Sequence, residues 1–289
     1  MTGFNQIPAL SVKFVSSSLI LAACFLIASL VVGLEMPIQM ADPFAGLLPL
    51  LLMCFLDAAV LSCLIIRSRW GGWKLVAVMF FALFGVKTFL SQIETLVFLH
   101  YLVEIVPVGA VPKFFAQGAI SAALFSPLAV SIYGRMKLGD VKIGSGERLR
   151  MPLTEWVWKL ALIAVVYVFV YILFGMFVFK PLAGEAFQEY YSGLQLPWWI
   201  LPFQAVRGLL WALLALPVIR MLRGRLWESG FAVALMFSVL MASSLLLPTE
   251  VMPQPIRTAH FLEILSSNFL FGWITVWLLS LRRRIPYQD

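Results

Sequence analysis

The sequence predicts an all-α polytopic membrane protein, folded as a single bundle of about eight transmembrane helices. Among its 289 residues, 62% are apolar and only 12% are charged, and the mean hydropathy is +0.97. A soluble domain carries about 25% charged residues, so this chain has too little polar surface to cover itself in water. The lipid bilayer is therefore the expected partner of one integral membrane domain over residues 1–289.

The first four predicted spans follow one another with short interruptions. They lie near residues 13–34, 44–66, 74–101 and 113–134. Each is long enough to cross about 30 Å of hydrocarbon, which takes about 20 helical residues. Proline or glycine marks the breaks, at Pro37 and Pro43, Gly71 and Gly72, and Pro107 and Pro112. Because these residues favour turns, they divide the apolar stretches into separate helices.

The other four predicted spans lie near residues 156–179, 197–220, 230–248 and 259–281. Gly139 lies in the segment before them, and the breaks between them carry Pro181 and Gly184, Gly224, and Pro248 to Pro255. The pattern of long apolar runs divided by turn residues is therefore the same in both halves of the chain.

Basic residues alternate between the two ends of successive spans, and this alternation supports the count of eight. One side of the membrane collects Lys13, Arg67, Arg69, Lys74, Arg135, Lys137, Lys142, Arg148, Arg150, Lys159, Arg220, Arg223, Arg225, Arg282, Arg283 and Arg284. The other side has only Lys113, Lys180 and Arg257, beside Glu35, Asp42, Glu104, Glu185, Glu189 and Glu250. Lys and Arg concentrate in cytoplasmic loops, which predicts that the basic side and both termini are cytoplasmic. We call the side that is rich in Lys and Arg the basic face, and the other side of the membrane the opposite face.

The net charge of +7 has the same explanation and does not indicate a nucleic-acid partner. No basic segment is long enough to fold as a nucleic-acid-binding domain.

The three cysteines, Cys24, Cys54 and Cys63, lie in apolar runs, so no disulfide framework is expected. The loops are compact, and neither Asn5 nor Asn268 opens a glycosylation sequon. The predicted location is a bacterial inner (plasma) membrane.

A weaker pattern indicates an internal duplication into halves 1–140 and 150–289. The segments 67–70 and 223–227 both contain Arg-x-Arg followed by Trp, and each precedes a span. Phe115, Gln117, Ser121, Leu124 and Phe125 of the fourth span align with Phe261, Glu263, Ser267, Leu270 and Phe271 of the eighth. Four spans in each half would give the two repeats the same orientation, with the basic loop 135–155 as a flexible connector.

The candidate site consists of polar residues within the predicted spans: Asp57, Lys87, Glu94, Gln204, Arg207, His260, Glu263, Ser267 and Asn268. A charge at the bilayer centre costs about 2.5–3.5 kcal/mol on insertion scales, so such residues face the bundle interior and usually have partners. With a rise of about 1.5 Å per residue, most of them are predicted to lie in the half of the bilayer near the opposite face.

Helical spacing groups the charged residues on a few helix faces. Lys87 and Glu94 are seven residues apart, and His260 and Glu263 are three apart, so each pair shares a stripe. The third, sixth and eighth spans can then bring Glu94, His260, Glu263 and Arg207 of the sixth span to one pocket. The predicted pocket opens at the opposite face.

The first functional hypothesis is an intramembrane hydrolase or transferase that acts on a lipid or peptide. His260 with Glu94 or Glu263 would serve as general base, and Arg207 or Asn268 would stabilise a developing oxyanion. The substrate would also contact Ser267, Gln204, Lys87 and Asp57. Two histidines in the whole chain make a poor zinc site, so no metal is assigned, and no cofactor is indicated.

Two other functions remain open from the sequence. The intramembrane charges could form a proton or solute path in a secondary transporter or channel, although most of them lie away from the bilayer midplane. The chain could also be a non-catalytic membrane subunit that binds a lipid or a partner helix.

The candidate residues also have purely structural interpretations. Arg207 could pair with Glu94 or Asp57, and Asp57 could instead pair with Lys87 to hold two helices together. The polar residues of the eighth span could lie at the membrane interface or form hydrogen bonds between helices.

Overall fold

The computed structural model describes residues 7–34, 43–102, 109–137, 139, 149, 151–192, 196–249 and 252–281. These residues are mostly helical and form no strand. Eight of the helices are long and apolar enough to cross a membrane. The predicted fold class is thereby confirmed, and the chain is a multi-pass membrane protein.

The first half of the chain forms four helices. Helix α1 is Ile7–Val32, α2 is Pro43–Arg67, and α4 is Ala110–Ile132. Helix α3 is continuous but changes its hydrogen bonding twice, with α-helical Gly72–Phe80, π-helical Phe81–Phe89 and α-helical Leu90–Leu102.

The second half begins with α5, Leu153–Phe174, which continues as a π-helical turn, Gly175–Phe179, and a last α-turn, Lys180–Ala183. A short helix α6, Glu185–Tyr190, follows at the opposite face and was not predicted. Helix α7 is Ile200–Met221, α8 is Leu226–Ala242 with a 3₁₀ extension Ser243–Leu246, and α9 is Gln254–Ser280. Helix α9 starts at Gln254 rather than near residue 259, so His260 and Glu263 lie further inside the helix than predicted.

The helices pack around one apolar core. Helix α1 packs against α2 and α4, and α3 packs against α4; in the second half, α5 packs against α7 and α9, and α8 packs against α9. Helices α2, α3, α7 and α8 join the two halves. Trp211, Phe125 and Phe237 are among the largest fully buried side chains of this core.

The ends of α2, α4 and α7 and the start of α8 meet at the basic face. Arg67 forms an ion pair with Glu228, and Gly72 N donates to the Arg135 carbonyl oxygen at 2.9 Å. Lys159, in the first turns of α5, lies near the same face and is 1% exposed. Its ammonium group lies 2.8 Å from a Glu155 oxygen and donates to two carbonyl groups at the end of α9.

Some sequence predictions fall outside the described residues. They concern most of the connector 135–155, Glu35, Asp42, Glu104, Lys142, Arg148, Arg150, Glu250 and Arg282 to Arg284.

Candidate functional site

The structure distributes the predicted site residues over three polar clusters. The Glu94 cluster contains Glu94, Gln204 and Arg207; the His260 cluster contains Tyr191, His260, Glu263 and Ser267; the Asp57 cluster contains Asp57, Lys87 and Ser243. Asn268, the remaining predicted residue, is buried beside Ser267 on α9.

Arg207 is the centre of the Glu94 cluster, and only 2% of its side chain is exposed. Its Nη1 lies 2.8 Å from Glu94 Oε1 and donates to Gln204 Oε1 at 2.9 Å. Its Nη2 donates to the Leu90 carbonyl oxygen at 3.1 Å. Gln204 Nε2 also donates to Glu94 Oε1, at 3.4 Å. Because Glu94 is engaged by Arg207 and Gln204, it positions the guanidinium group and is a weaker candidate for general base than the sequence suggested.

Aromatic rings also hold the Arg207 guanidinium group. Its Cζ lies 5.8 Å from the ring centre of Tyr167 and 5.9 Å from that of Phe203, within the range of a cation–π interaction. Gly208 permits this approach of α5, since a Cβ atom there would lie 2.7 Å from the Tyr167 Cβ. Arg207 is therefore fixed in one position by α3, α5 and α7.

The His260 cluster places a carboxylate, an imidazole and a phenol in succession. Glu263 Oε2 lies 3.6 Å from His260 Nδ1, and the Tyr191 hydroxyl lies 3.0 Å from His260 Nε2. The Phe179 ring stacks on the imidazole with a 3.9 Å centroid distance. Ser267 Oγ donates to the other Glu263 oxygen at 3.3 Å. The imidazole is thus hydrogen-bonded at Nε2 and stacked on one face, while Nδ1 lies near the Glu263 carboxylate but has no hydrogen-bond partner among the described residues.

Tyr191 follows α6 and lies outside the eight spans. Burial raises the pKa of its phenol, and the negative charges of Glu94 and Glu263 raise it further. The hydroxyl group therefore stays protonated at neutral pH and is available as a donor.

The Asp57 cluster lies between the two halves of the chain, near the middle of α2. Asp57 is fully buried, and its Oδ2 lies 2.9 Å from Lys87 Nζ. Ser243 Oγ donates to Asp57 Oδ1 at 2.6 Å and accepts from Lys87 Nζ at 2.8 Å. Lys87 belongs to the π-helical segment, and Ser243 begins the 3₁₀ extension of α8. In the described part of the chain, no hydrogen bond or ion pair connects this cluster to the other two.

An apolar cleft of about 540 Å³ lies between α3 and α4. Leu96 contributes to it from α3, with Val111 and Phe115 from α4. Leu96 is two residues beyond Glu94, about 200° around an α-helix, so the cleft and the Glu94 cluster lie on different sides of α3.

Sequence reasoning missed Tyr191 and Ser243. Tyr191 belongs to an interfacial segment in which aromatic residues are usual, and Ser243 is one of many serines in apolar helices. Their spacing along the chain gave no signal, because each meets its partners from a distant part of the sequence.

Among the residues that the structure describes, no three His, Cys, Asp or Glu side chains are grouped to hold a metal ion. Comparison of the chain with protein-family models, curated proteins and solved structures finds no match.

Proposed function

We propose that this chain is an intramembrane hydrolase or transferase that acts on a lipid or peptide in the half of the bilayer near the opposite face. The observation that supports this function is the succession Glu263, His260 and Tyr191, which has the order of a carboxylate–imidazole–hydroxyl proton relay. We further propose that the basic face is cytoplasmic and that the membrane is a bacterial plasma membrane.

His260 is the general base of the proposed reaction. A water or substrate hydroxyl that replaces Tyr191 at Nε2 would transfer its proton to the imidazole as its oxygen attacks an ester or amide carbonyl carbon of the substrate. The imidazolium ion would then give this proton to the leaving alcohol or amine as its bond to the carbonyl carbon breaks. Glu263 would orient the ring through Nδ1 and stabilise the imidazolium ion that forms. Ser267, which donates to Glu263, would fix that carboxylate.

Tyr191 and Arg207 would stabilise negative charge on the substrate. Tyr191 retains its proton because burial raises the pKa of its phenol. Arg207 supplies a fixed positive charge, and electrostatic stabilisation of this kind is strong in an environment of low dielectric constant. Gln204 and Asn268 would contribute further polar contacts, whereas Glu94 acts on Arg207.

The experiment uses the full chain in liposomes made from a bacterial lipid extract, with an added library of hydrophobic peptides. Mass spectrometry of lipids and peptides follows new products over time. We expect turnover by the wild type, a loss of about a hundredfold or more in His260→Gln, and a smaller loss in Tyr191→Phe.

The matched control is Glu185→Gln, which removes an exposed carboxylate from the same face. It should keep full activity and the same monodisperse elution profile as His260→Gln. Turnover that survives in His260→Gln, or is absent in the wild type with both substrate classes, contradicts the proposal.

Transport is a second candidate, supported by the Asp57 cluster. An ion pair between two halves of a bundle, flanked by interrupted α-helix, is a feature of secondary transporters. Proteoliposomes loaded with a pH-sensitive dye test this function. A proton flux that requires Asp57, and is lost in Asp57→Asn but not in Glu185→Gln, would favour transport over catalysis.

A further inference from the structure

Several chain segments meet at the basic face around an antiparallel bridge between Ser68 and Leu222. Beside this bridge, Arg223 N donates to the Arg67 carbonyl oxygen at 3.0 Å. The guanidinium group of Arg135, which follows α4, donates to the Ser68 carbonyl oxygen. The backbone pairing therefore holds the side chains of Arg135 and Arg223 near one another.

The two guanidinium groups are close enough to repel each other. Burial, and then the positive charge of Arg223, lower the pKa of Arg135. Nε and Nη2 of Arg223 and Nε of Arg135 are buried, yet they have no hydrogen-bond acceptor among the described residues. Desolvated donors of charged groups are costly when they are left unpaired, so this pair of arginines needs an anion.

Glu228, at the start of α8 on the same face, is already engaged. Glu228 forms an ion pair with Arg67 and accepts a hydrogen bond from the backbone N–H of Arg225, which caps the start of α8. It therefore neutralises Arg67, and among the described residues no ion pair compensates the charge of Arg135 or Arg223.

We propose that Arg135 and Arg223 form a binding site for a phosphoryl anion at the basic face. Guanidinium groups bind phosphate oxygens through paired N–H donors, and two of them match a group that carries several oxygens. Helix α3 begins beside Arg135, with Gly71 as an N-cap that provides no side-chain acceptor. The positive end of its helix dipole adds to the attraction.

The depth of the site suits a phosphate at the membrane surface. One span ends at Arg67 and the next begins at Gly72, so the bridge lies at the edge of the hydrocarbon layer. The phosphoryl group can belong to an anionic phospholipid or to a soluble phosphate compound. Both sources present the same phosphoryl group to the arginines, and the experiment below distinguishes between them.

The experiment uses the full chain in a neutral detergent and compares the wild type, Arg223→Gln and Arg220→Gln. Arg220 is an exposed residue in the last turn of α7, so the control loses the same charge from the same face. The probes are short-chain phosphatidylglycerol, phosphatidylcholine of equal chain length, and inorganic phosphate. Thermal unfolding midpoints and equilibrium titrations report binding.

Without a probe, Arg223→Gln should unfold at the same temperature as the wild type or higher, because repulsion from Arg135 is removed. Phosphatidylglycerol should stabilise the wild type and Arg220→Gln, and Arg223→Gln should bind it about tenfold more weakly. If inorganic phosphate stabilises the wild type equally, a soluble phosphate compound is the source; stabilisation by phosphatidylglycerol alone assigns the lipid.

Two results would overturn the proposal. One is an equal loss of affinity in Arg223→Gln and Arg220→Gln, which would show general attraction to a basic surface. The other is a wild type that neither phosphatidylglycerol nor inorganic phosphate stabilises.

Discussion

Arg207 is the residue whose environment constrains it most strongly. A guanidinium group at 2% exposure needs several acceptors, and it has Glu94, Gln204 and the Leu90 carbonyl group. Lysine has one ammonium group and could not reach these three acceptors with the same planar geometry. The identity of the residue at this position therefore follows from the arrangement of α3 and α7.

Arg207→Met is expected to lower the free energy of unfolding by about 3 kcal/mol, because it leaves Glu94 without its counter-ion inside the bilayer. Adding Glu94→Gln should recover part of the loss, since the uncompensated charge is then removed. Equilibrium unfolding in mixed micelles measures both effects. Arg220→Met, at an exposed position, is the control and should change the stability by less than about 0.5 kcal/mol. A double variant less stable than Arg207→Met would contradict this account.

At the residue scale, the sequence identified which side chains are unusual but not which ones pair. The depth of Asp57 and Lys87 marked both as buried charges, and the pairing of Asp57 with Lys87 was one of the open alternatives. Their common partner Ser243 comes from the far end of α8, and helical spacing carries no information about contacts between helices. The same limit applies to Tyr191 and His260.

Close approach between elements depends on small residues, and the α8–α9 pair shows this clearly. Gly272 of α9 lies against the backbone of α8, where a Cβ atom would come within 2.8 Å of Ala234 Cα. Helices in membranes associate through such close packing, since apolar burial does not drive them together in lipid.

Gly272→Ala should therefore lower the free energy of unfolding by about 1–3 kcal/mol, because the added methyl group forces α8 and α9 apart. Gly175→Ala is the matched control: a Cβ atom there meets nothing within 4 Å. Its stability should be equal to that of the wild type or slightly higher. Thermal unfolding of the three purified proteins compares them directly. If both substitutions destabilise the protein equally, helix packing is not the cause.

At the scale of elements, the spans were predictable because an apolar run of about 20 residues has few alternatives to a membrane helix. The local choice between α-helical and π-helical hydrogen bonds was not predictable from the sequence. The π-helical segment Phe81–Phe89 has an ordinary apolar sequence, and only packing against neighbouring helices distinguishes it from α-helix. The short helix Glu185–Tyr190 lies in a loop too polar to be recognised as a span.

The two halves of the chain pack their membrane-spanning helices in the same order. In each half, the first and second of these helices pack together, the third and fourth pack together, and the first also packs against the fourth. In the second half these helices are α5, α7, α8 and α9. This order agrees with the predicted duplication, which stays a prediction because like packing also arises without common ancestry.

Orientation in the membrane is testable with two single cysteines on a background without Cys24, Cys54 and Cys63. Trp198→Cys at the opposite face replaces a side chain that is 89% exposed, and Lys137→Cys lies at the exposed basic face. A membrane-impermeant thiol reagent should label Trp198→Cys on intact cells. It should label Lys137→Cys only after the membrane is permeabilised. The reverse pattern would show that the basic face is extracellular.

The π-helical segment of α3 changes the direction in which the residues after it face, relative to the residues before it. Gly85, where a Cβ atom would lie 2.6 Å from Leu214 of α7, and Glu94, paired with Arg207 of α7, are nine residues apart. In a regular α-helix that spacing turns the chain by about 180°, so the two residues would face opposite directions. Hydrogen bonds from i to i+5 turn the chain less per residue, and both residues can face α7. A single-residue deletion between positions 85 and 89 would leave α3 long enough to cross the bilayer, yet it would rotate Glu94 relative to Gly85. A small change in the length of this span is therefore tolerated, whereas a change in the rotation of Glu94 relative to Gly85 is not.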